Sequence, residues 1–343
     1  TVVLGKDISI ADTITIGSGK NTTLDLKGYK ITFTNGTKNA KLFHVTGGSL
    51  TIVDSTANAD GTSKKESRKK LDGITYAGGT PRKSLAFISR SNLTYYIVDS
   101  VETDTTKHLT TETQWQRTVP LGAGRAGAIV GAEKDGQVAI LQESGTVTIR
   151  GGYICGFGKA KRPGPTEIDS GSYDGNYNSA ITISGGTFNL EGGVLAANRA
   201  YNHGGAIYMD GQASNLIMTG GIISGNYIDR IGGGIYASCK SGSLSKITLS
   251  GNAYITCNTA NGYVKSAPGG YSAGGLYLGS NISFTMTGGY ITGNYGKGDG
   301  GGIKASGTAS DPNLVNIYGG YISANKCEKV QGGGICCNSY STC

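Results

Sequence analysis

The chain of 343 residues lacks any apolar run long enough to form a membrane helix. Such a helix needs about 20 consecutive apolar residues, so we expect no membrane span in this segment. The first residue, Thr1, is not Met and no signal peptide follows it, which is typical of a processed or trimmed chain. Proline is also scarce, at 6 residues, so the corners of the chain depend mainly on glycine, which reaches 59.

Metal-binding motifs are missing as well. None of the seven cysteines belongs to a C-x-x-C pair matched by a second one, and the chain has only three histidines. Structural zinc sites use such matched pairs, so the sequence predicts no metal and no cofactor. The cysteine spacing fixes no disulfide pairing. We expect Cys257 to be a buried thiol, and the odd count makes Cys343 the candidate for a free or intermolecular thiol.

The charge is unbalanced, with a formal net charge of +8, and part of the excess is local. This basic run has two interpretations, a solvated loop or a surface with affinity for an anionic polysaccharide or cell wall. No nucleic-acid-binding motif accompanies it, so nucleic acid is not an expected partner. The run consists of Lys64, Lys65, Arg68, Lys69 and Lys70.

One phrase recurs through residues 141–343, an alternating apolar strand followed by glycine. Its copies lie 31 to 37 residues apart, a period that indicates a stacked array of repeats rather than one globular core. The second apolar position of successive copies is occupied by Ile149, Ile183, Met218, Leu249, Met286 and Ile317.

Each repeat contains three short strand patterns. In one copy Ile247 and Leu249 alternate with hydroxyl residues, which places the apolar pair on one face of a strand. A second strand follows the Gly-Gly pair, and a third follows a glycine cluster, as in residues 204–208. Three strands and three corners in about 30 residues predict an all-β fold, a right-handed parallel β-helix.

We therefore predict a single β-helix domain over residues 1–343, with N-terminal coils at 1–57 and regular coils at 128–343. Val2 and Val3 are expected to cover the open edge of the first coil. Residues 58–127 break the repeat and are interpreted as one long inserted excursion. Long inserts in repeat proteins tend to lie on one face, often the binding face.

Asparagine returns at the second corner of each repeat. We interpret this column as an internal ladder in which each side-chain amide bonds to the equivalent corner one repeat away; ligand contact is the alternative. Its members are Asn198, Asn226, Asn258, Asn294 and Asn325.

These phrases resemble the GGAI-type repeats of polymorphic outer-membrane proteins, and more broadly the pectin-lyase-like β-helix. Residues 204–207 match the GGAI phrase outright, whereas the partner FxxN phrase has Ile223 where Phe is expected. The resemblance covers roughly residues 128–343. It implies a right-handed β-helix, secretion, surface display and adhesion, and it names no ligand.

Tyrosine, at 20 residues, is the most conspicuous candidate for recognition. Tyr208, Tyr236 and Tyr277 share an outward position after the glycine cluster, while Tyr153, Tyr290 and Tyr321 share one after the Gly-Gly pair. Rings stacked between repeats would stabilise neighbouring strands; the same rings could also hold sugars or a protein partner. The predicted ligand-binding residues are Tyr208, Tyr236, Tyr277, Tyr290 and Tyr321.

Catalytic patterns are sparse. Glycoside hydrolysis needs two convergent carboxylates, and the acidic residues here are scattered with no Asp-Asp pair. Residues 202–204 with Arg230 resemble the His and Arg of polygalacturonases, whose paired-aspartate and Arg-x-Lys motifs are absent. Asp174, His203 and Arg230 are the candidates if the chain is an enzyme, and we assign no catalytic residue.

The leading hypothesis is a non-catalytic adhesion or structural module, extracellular or at the cell surface. Its expected partner is a glycan or a host or cell-surface protein. One alternative is a filament subunit formed by end-to-end homo-assembly. Another alternative is a polysaccharide lyase or glycoside hydrolase that acts on an acidic polysaccharide.

Overall fold

The computed structural model describes residues 1–76, 85–89, 91–132, 136–158, 179–262, 272–328 and 331–343. Their regular secondary structure is entirely β-strand, so the predicted all-β class is confirmed for these residues. No helix in this part of the chain is long and apolar enough to cross a bilayer.

Short strands follow one another along the described chain, most of them two to five residues long. The first are β1 (Val2–Val3), β2 (Ile8–Ile10), β3 (Ile14–Ile16), β4 (Asn21–Asp25), β5 (Lys30–Phe33), β6 (Lys41–Val53), β7 (Ser67–Lys70), β8 (Phe87–Ser89), β9 (Asn92–Asp104) and β10 (Leu109–Pro120). Next come β11 (Ala128–Gly131), β12 (Val138–Ile149), β13 (Tyr153–Cys155), β14 (Ile181–Ile183), β15 (Gly186–Leu190), β16 (Val194–Ala196), β17 (Arg199–Ala200), β18 (Ile207–Met209), β19 (Ser214–Met218), β20 (Ile222–Ser224), β21 (Tyr227–Ile228) and β22 (Ile235–Ala237). The last are β23 (Ser245–Leu249), β24 (Tyr254–Thr256), β25 (Thr259–Ala260), β26 (Leu276–Leu278), β27 (Ile282–Thr292), β28 (Tyr295–Gly296), β29 (Ile303–Ala305), β30 (Asn313–Ser323), β31 (Lys326–Cys327), β32 (Ile335–Cys337) and β33 (Ser341–Thr342).

Parallel pairing between successive repeats joins 24 of these strands into one large sheet. The strands fall into three columns, and the arrangement is compatible with a parallel β-helix. Column A, before the Gly-Gly corner, contains β1, β4, β6, β12, β15, β19, β23, β27, β30 and β33. Column B, after that corner, contains β2, β5, β11, β13, β16, β20, β24, β27 and β30. Column C, after the glycine cluster, contains β3, β6, β12, β14, β18, β22, β26, β29 and β32.

A fourth, smaller ladder lies between columns B and C along the chain. It consists of two-residue parallel strands and was not evident from the sequence, because two residues are too few to show an alternating pattern. Its strands are β17, β21, β25, β28 and β31.

The interior is one continuous cluster of buried apolar side chains that extends from Leu4 to Val315. Alternation along each strand produces it: in β23, Ile247 and Leu249 are buried, whereas Lys246 is exposed and Thr248 half-buried. Each fully buried aliphatic side chain contributes roughly 1.5–3 kcal/mol. The core therefore grows with every added repeat.

The corner after column B combines a left-handed residue with a buried asparagine. The residue before each asparagine has a positive φ, at Gly225 and Gly293 without strain and at three non-glycine residues as well. Asparagine side chains then link the repeats, with Nδ2 to Oδ1 distances of 3.0 to 3.1 Å between neighbours 28 to 36 residues apart. The predicted asparagine ladder is confirmed, and the three strained residues are Ala197, Cys257 and Ala324.

The strands between Ser67 and Pro120 stand outside the large sheet. They pair antiparallel in the order β7-β10-β9-β8, and we call them the inserted sheet. Tyr95 and Ile97 of this sheet pack against Val194 and Ile222 of column B. The inserted sheet thus covers the outer face of column B.

Two sequence predictions are wrong in detail. Ile183 does not belong to the column of Ile149 and Met218: it pairs with Met209 in column C, and the column A position of that repeat is Leu190. In both columns glycine follows soon after the strand, so the sequence patterns of the two columns look alike. The second error concerns Cys343, which forms a disulfide with Cys337 and is not a free thiol.

Candidate functional site

Tyr208, Tyr236 and Tyr277 occupy one register position on β18, β22 and β26, and we call them the first tyrosine stack. Neighbouring ring centroids are 5.5 Å apart in both pairs, and the ring planes differ by 18° and 8°. Parallel strands are spaced about 4.8 Å apart, so in-register tyrosines meet face to face. Their faces are occupied by one another, and Tyr208 and Tyr277 are largely buried, at 8% and 7% exposure.

His203 lies against this stack. Its ring centroid is 4.3 Å from that of Tyr236 and 5.7 Å from that of Tyr208. Burial, and to a smaller extent the positive charge of Arg230, together lower the pKa of His203 to about 4. The imidazole is therefore neutral at neutral pH and can both donate and accept hydrogen bonds.

Hydrogen-bonded polar groups accompany the first tyrosine stack. Arg230 Nη1 donates to Asn202 Oδ1 at 2.7 Å, one repeat away. The Tyr208 hydroxyl donates to Asp210 Oδ2 at 2.5 Å. Burial raises the pKa of Tyr236, as do the charges of Tyr277 and Asp210, so its hydroxyl stays protonated and remains a donor. Donors and acceptors thus converge beside three aromatic rings.

The candidate catalytic residues are only partly brought together. His203 and Arg230 interact electrostatically, as the lowered pKa of His203 shows. Asp174 lies outside the described residues. An imidazole with a pKa of about 4 is a weak base at neutral pH and is almost never protonated there, so it is poorly matched to acid or base catalysis.

Tyr254, Tyr290 and Tyr321 form a second tyrosine stack, on column B. Centroid distances are 4.3 and 5.2 Å, and the planes are within 10° of parallel. Tyr254 was missed from the sequence because its repeat lacks the Gly-Gly pair that marks the others, although register places it one repeat before Tyr290. All three rings are half-buried.

The structure corrects the predicted second tyrosine column at Tyr153. It has the same register position, but Val194 and Ile222 separate it from Tyr254. Its side chain is fully buried beneath the inserted sheet, where it meets Tyr95 edge to face at 6.3 Å. Packing against the inserted sheet thus makes Tyr153 part of a buried core cluster.

The inserted sheet also flanks the second stack. Burial raises the pKa of Tyr254, as do the charge of Asp99 on β9 and its hydrogen bond to the phenol. The second stack therefore lies near Asp99 and Arg117 of the inserted sheet, whereas the first combines His203, Arg230 and Asp210. Within the part of the chain that the structure describes, no group of three or more His, Cys, Asp or Glu is arranged to hold a metal ion.

Comparison with protein families, with curated proteins and with solved structures found no match to this chain. The GGAI-type resemblance therefore has no support beyond the residues that prompted it.

Proposed function

We propose that this chain is a right-handed parallel β-helix that acts outside the cell or at its surface as a non-catalytic glycan-binding module. The observation that carries the proposal is the first tyrosine stack, where aromatic edges and hydroxyl groups line up beside the neutral His203, Arg230 and Asp210. Binding sites for small polar ligands typically combine aromatic surface with a few convergent hydrogen-bonding groups.

The chemistry of the cluster favours a polyhydroxyl ligand. Asp210 accepts hydrogen bonds, the guanidinium of Arg230 donates them, and a neutral imidazole does both. The tyrosine rings beside them recur along the array, with centroids 5.5 Å apart, close to the parallel-strand spacing of about 4.8 Å. A linear glycan likewise presents hydroxyl groups at regular intervals, so several sugar units can be contacted at once.

One disulfide supports an oxidising environment. Cys337 and Cys343 form a disulfide, and such bonds persist mainly in secreted and cell-surface proteins. Because the resemblance also implies surface display, the glycan of a cell wall or a host surface is the ligand class that we favour.

A glycan array followed by titration calorimetry tests the proposal. The triple variant Tyr208→Phe, Tyr236→Phe, Tyr277→Phe keeps the stacked rings and removes their hydroxyl groups, so we expect at least a tenfold loss of affinity for the bound glycan. Tyr290 and Tyr321 are also predicted ligand-binding residues, and Tyr254→Phe, Tyr290→Phe, Tyr321→Phe tests them separately. Because the second stack lacks the His203 contact of the first, we expect a smaller loss of affinity than in the first-stack variant.

Three outcomes would reverse the proposal. One is an array on which no glycan binds. Another is equal affinity of the first-stack variant and the wild type. The third is cleavage of a polysaccharide by the wild type that disappears in His203→Ala, since this would make His203 catalytic.

A further inference from the structure

Beyond Tyr277, the register position of the first tyrosine stack is occupied by a lysine and then a cysteine. Lys304 on β29 follows Tyr277, and Cys336 on β32 follows Lys304. Both side chains are buried, at 6% exposure each. Lys304 Nζ lies 3.1 Å from Cys336 Sγ. An amine and a thiol, both nucleophilic, are thus in direct contact within a covered part of the array.

The surroundings hold this pair in place. Asp299 Oδ2 is 3.4 Å from Lys304 Nζ, and Gln331 Oε1 is 3.8 Å from Cys336 Sγ. Burial lowers the pKa of Lys304, but the hydrogen bond to Cys336 and the charges of Cys336 and Asp299 outweigh burial and raise it overall. The thiolate is the form in which a cysteine reacts with a peroxide.

Cys336 also differs from its neighbour in the chain. Cys337 is bonded to Cys343, whereas Cys336 carries a free thiol. Alternate residues of a strand face opposite sides, so Cys337 points away from Lys304 while Cys336 points towards it. Of these two cysteines, Cys336 is therefore the one with a thiol that can be oxidised, and it is in contact with the Lys304 amine.

We propose that Lys304 and Cys336 form a redox-modification site at which a peroxide oxidises the thiol and the lysine nitrogen then captures the sulfur in a reversible S–N crosslink. The site would tie the repeat of β29 covalently to the repeat of β32. It is independent of glycan binding.

The crosslink forms in two steps, an oxidation of sulfur and a condensation with the amine. The thiolate sulfur attacks hydrogen peroxide, the O–O bond breaks, and sulfur is oxidised by two electrons to sulfenic acid. The hydroxide that leaves takes a proton from the Lys304 ammonium and departs as water. The neutral amine then attacks sulfur, the S–O bond breaks, and a second water leaves with the sulfenic hydroxyl and one proton from nitrogen. The protein loses two hydrogen atoms relative to its thiol and neutral amine.

Mass spectrometry of the full chain after treatment with hydrogen peroxide tests the site. We expect a loss of two hydrogen atoms, a crosslinked peptide that contains Lys304 and Cys336, and full reversal by a thiol reductant. Lys304→Arg and Cys336→Ser should each abolish the crosslink completely, with unchanged circular dichroism as the check that they fold.

Cys327 provides the decisive control. A disulfide between Cys327 and Cys336 would change the mass by the same amount, so the experiment is repeated with Cys327→Ser, in which the Lys304–Cys336 pair is intact. Retention of the crosslink supports the proposal. Its loss in Cys327→Ser, a gain of oxygen without a crosslink, or no reaction in the wild type would each overturn it.

Discussion

Buried asparagine side chains stabilise one corner of each repeat. Asn258 is fully buried; its Nδ2 donates to Ile223 O at 2.9 Å and to Asn294 Oδ1 at 3.1 Å, and its Oδ1 accepts from Asn226. Buried polar groups are costly unless they are bonded, so a recurring asparagine in a Gly-rich repeat predicts mutual satisfaction. This part of the interior could be predicted from the sequence because the residue type leaves few other solutions.

His203 is expected to make the stability of the protein depend on pH. Its pKa is about 4 in the folded protein against 6.5 for an unperturbed histidine. Between these values the unfolded chain binds a proton that the folded protein excludes, so stability is complete above pH 6.5 and falls as the pH drops to about 4. The shift corresponds to about 3 kcal/mol at most.

Chemical denaturation at several pH values measures this effect. His203→Gln should have a flatter dependence of the unfolding free energy between pH 6.5 and 4. Parallel profiles for His203→Gln and the wild type would contradict the prediction.

At the scale of strands, alternation and glycine corners identified the elements but not always their column. The phrase at residues 181–186 has the same pattern as the column A copies, and only its pairing with Ile140 and Ile207 places it in column C. Local sequence specifies a strand and its buried face, whereas the column depends on which neighbours it meets. Tyr254 was missed for the same reason. Its strand register places it in the second tyrosine stack, but no local sequence motif marks it.

The docking of β9 on column B was not predictable from any local pattern. Its contacts come from hydroxyl side chains that alternate with core residues: Thr256 Oγ1 accepts from the Val98 N–H at 3.1 Å, and Thr292 Oγ1 donates to Val98 O at 2.6 Å. From the sequence alone, threonine at such positions is an ordinary outward strand residue. The partner lies more than 150 residues away along the chain.

Thr292→Val tests this docking, because it keeps the shape of the side chain and removes the hydroxyl group. The carbonyl of Val98 would lose its buried donor, so we expect a loss of about 1–2 kcal/mol and faster hydrogen exchange confined to β9 and β10. Thr285→Val, on the same strand but in column A, should exchange as the wild type does. Equal protection of β9 in both variants would show that the hydroxyl group does not hold the inserted sheet.

Across the whole molecule, stability is distributed along one axis. Each repeat contacts mainly its two neighbours, so the free-energy cost of a substitution depends on how completely those two repeats cover the side chain. Leu249 and Ile317 share a register position in column A. Leu249 is fully buried between β19 and β27, whereas Ile317 is 39% exposed, and β33 pairs with β30 only at Asn313 and Leu314.

Truncating Leu249 and Ile317 to alanine in turn measures how the cost of a lost side chain changes along the axis. Leu249→Ala should lower the unfolding free energy by about 2–5 kcal/mol, the usual cost of a cavity in a closed core. Ile317→Ala removes a similar volume where one side is open to water, so we expect about 1 kcal/mol or less. Urea denaturation followed by circular dichroism gives both values. Equal costs would mean that Ile317 is covered in solution, and hence that another surface packs on β30.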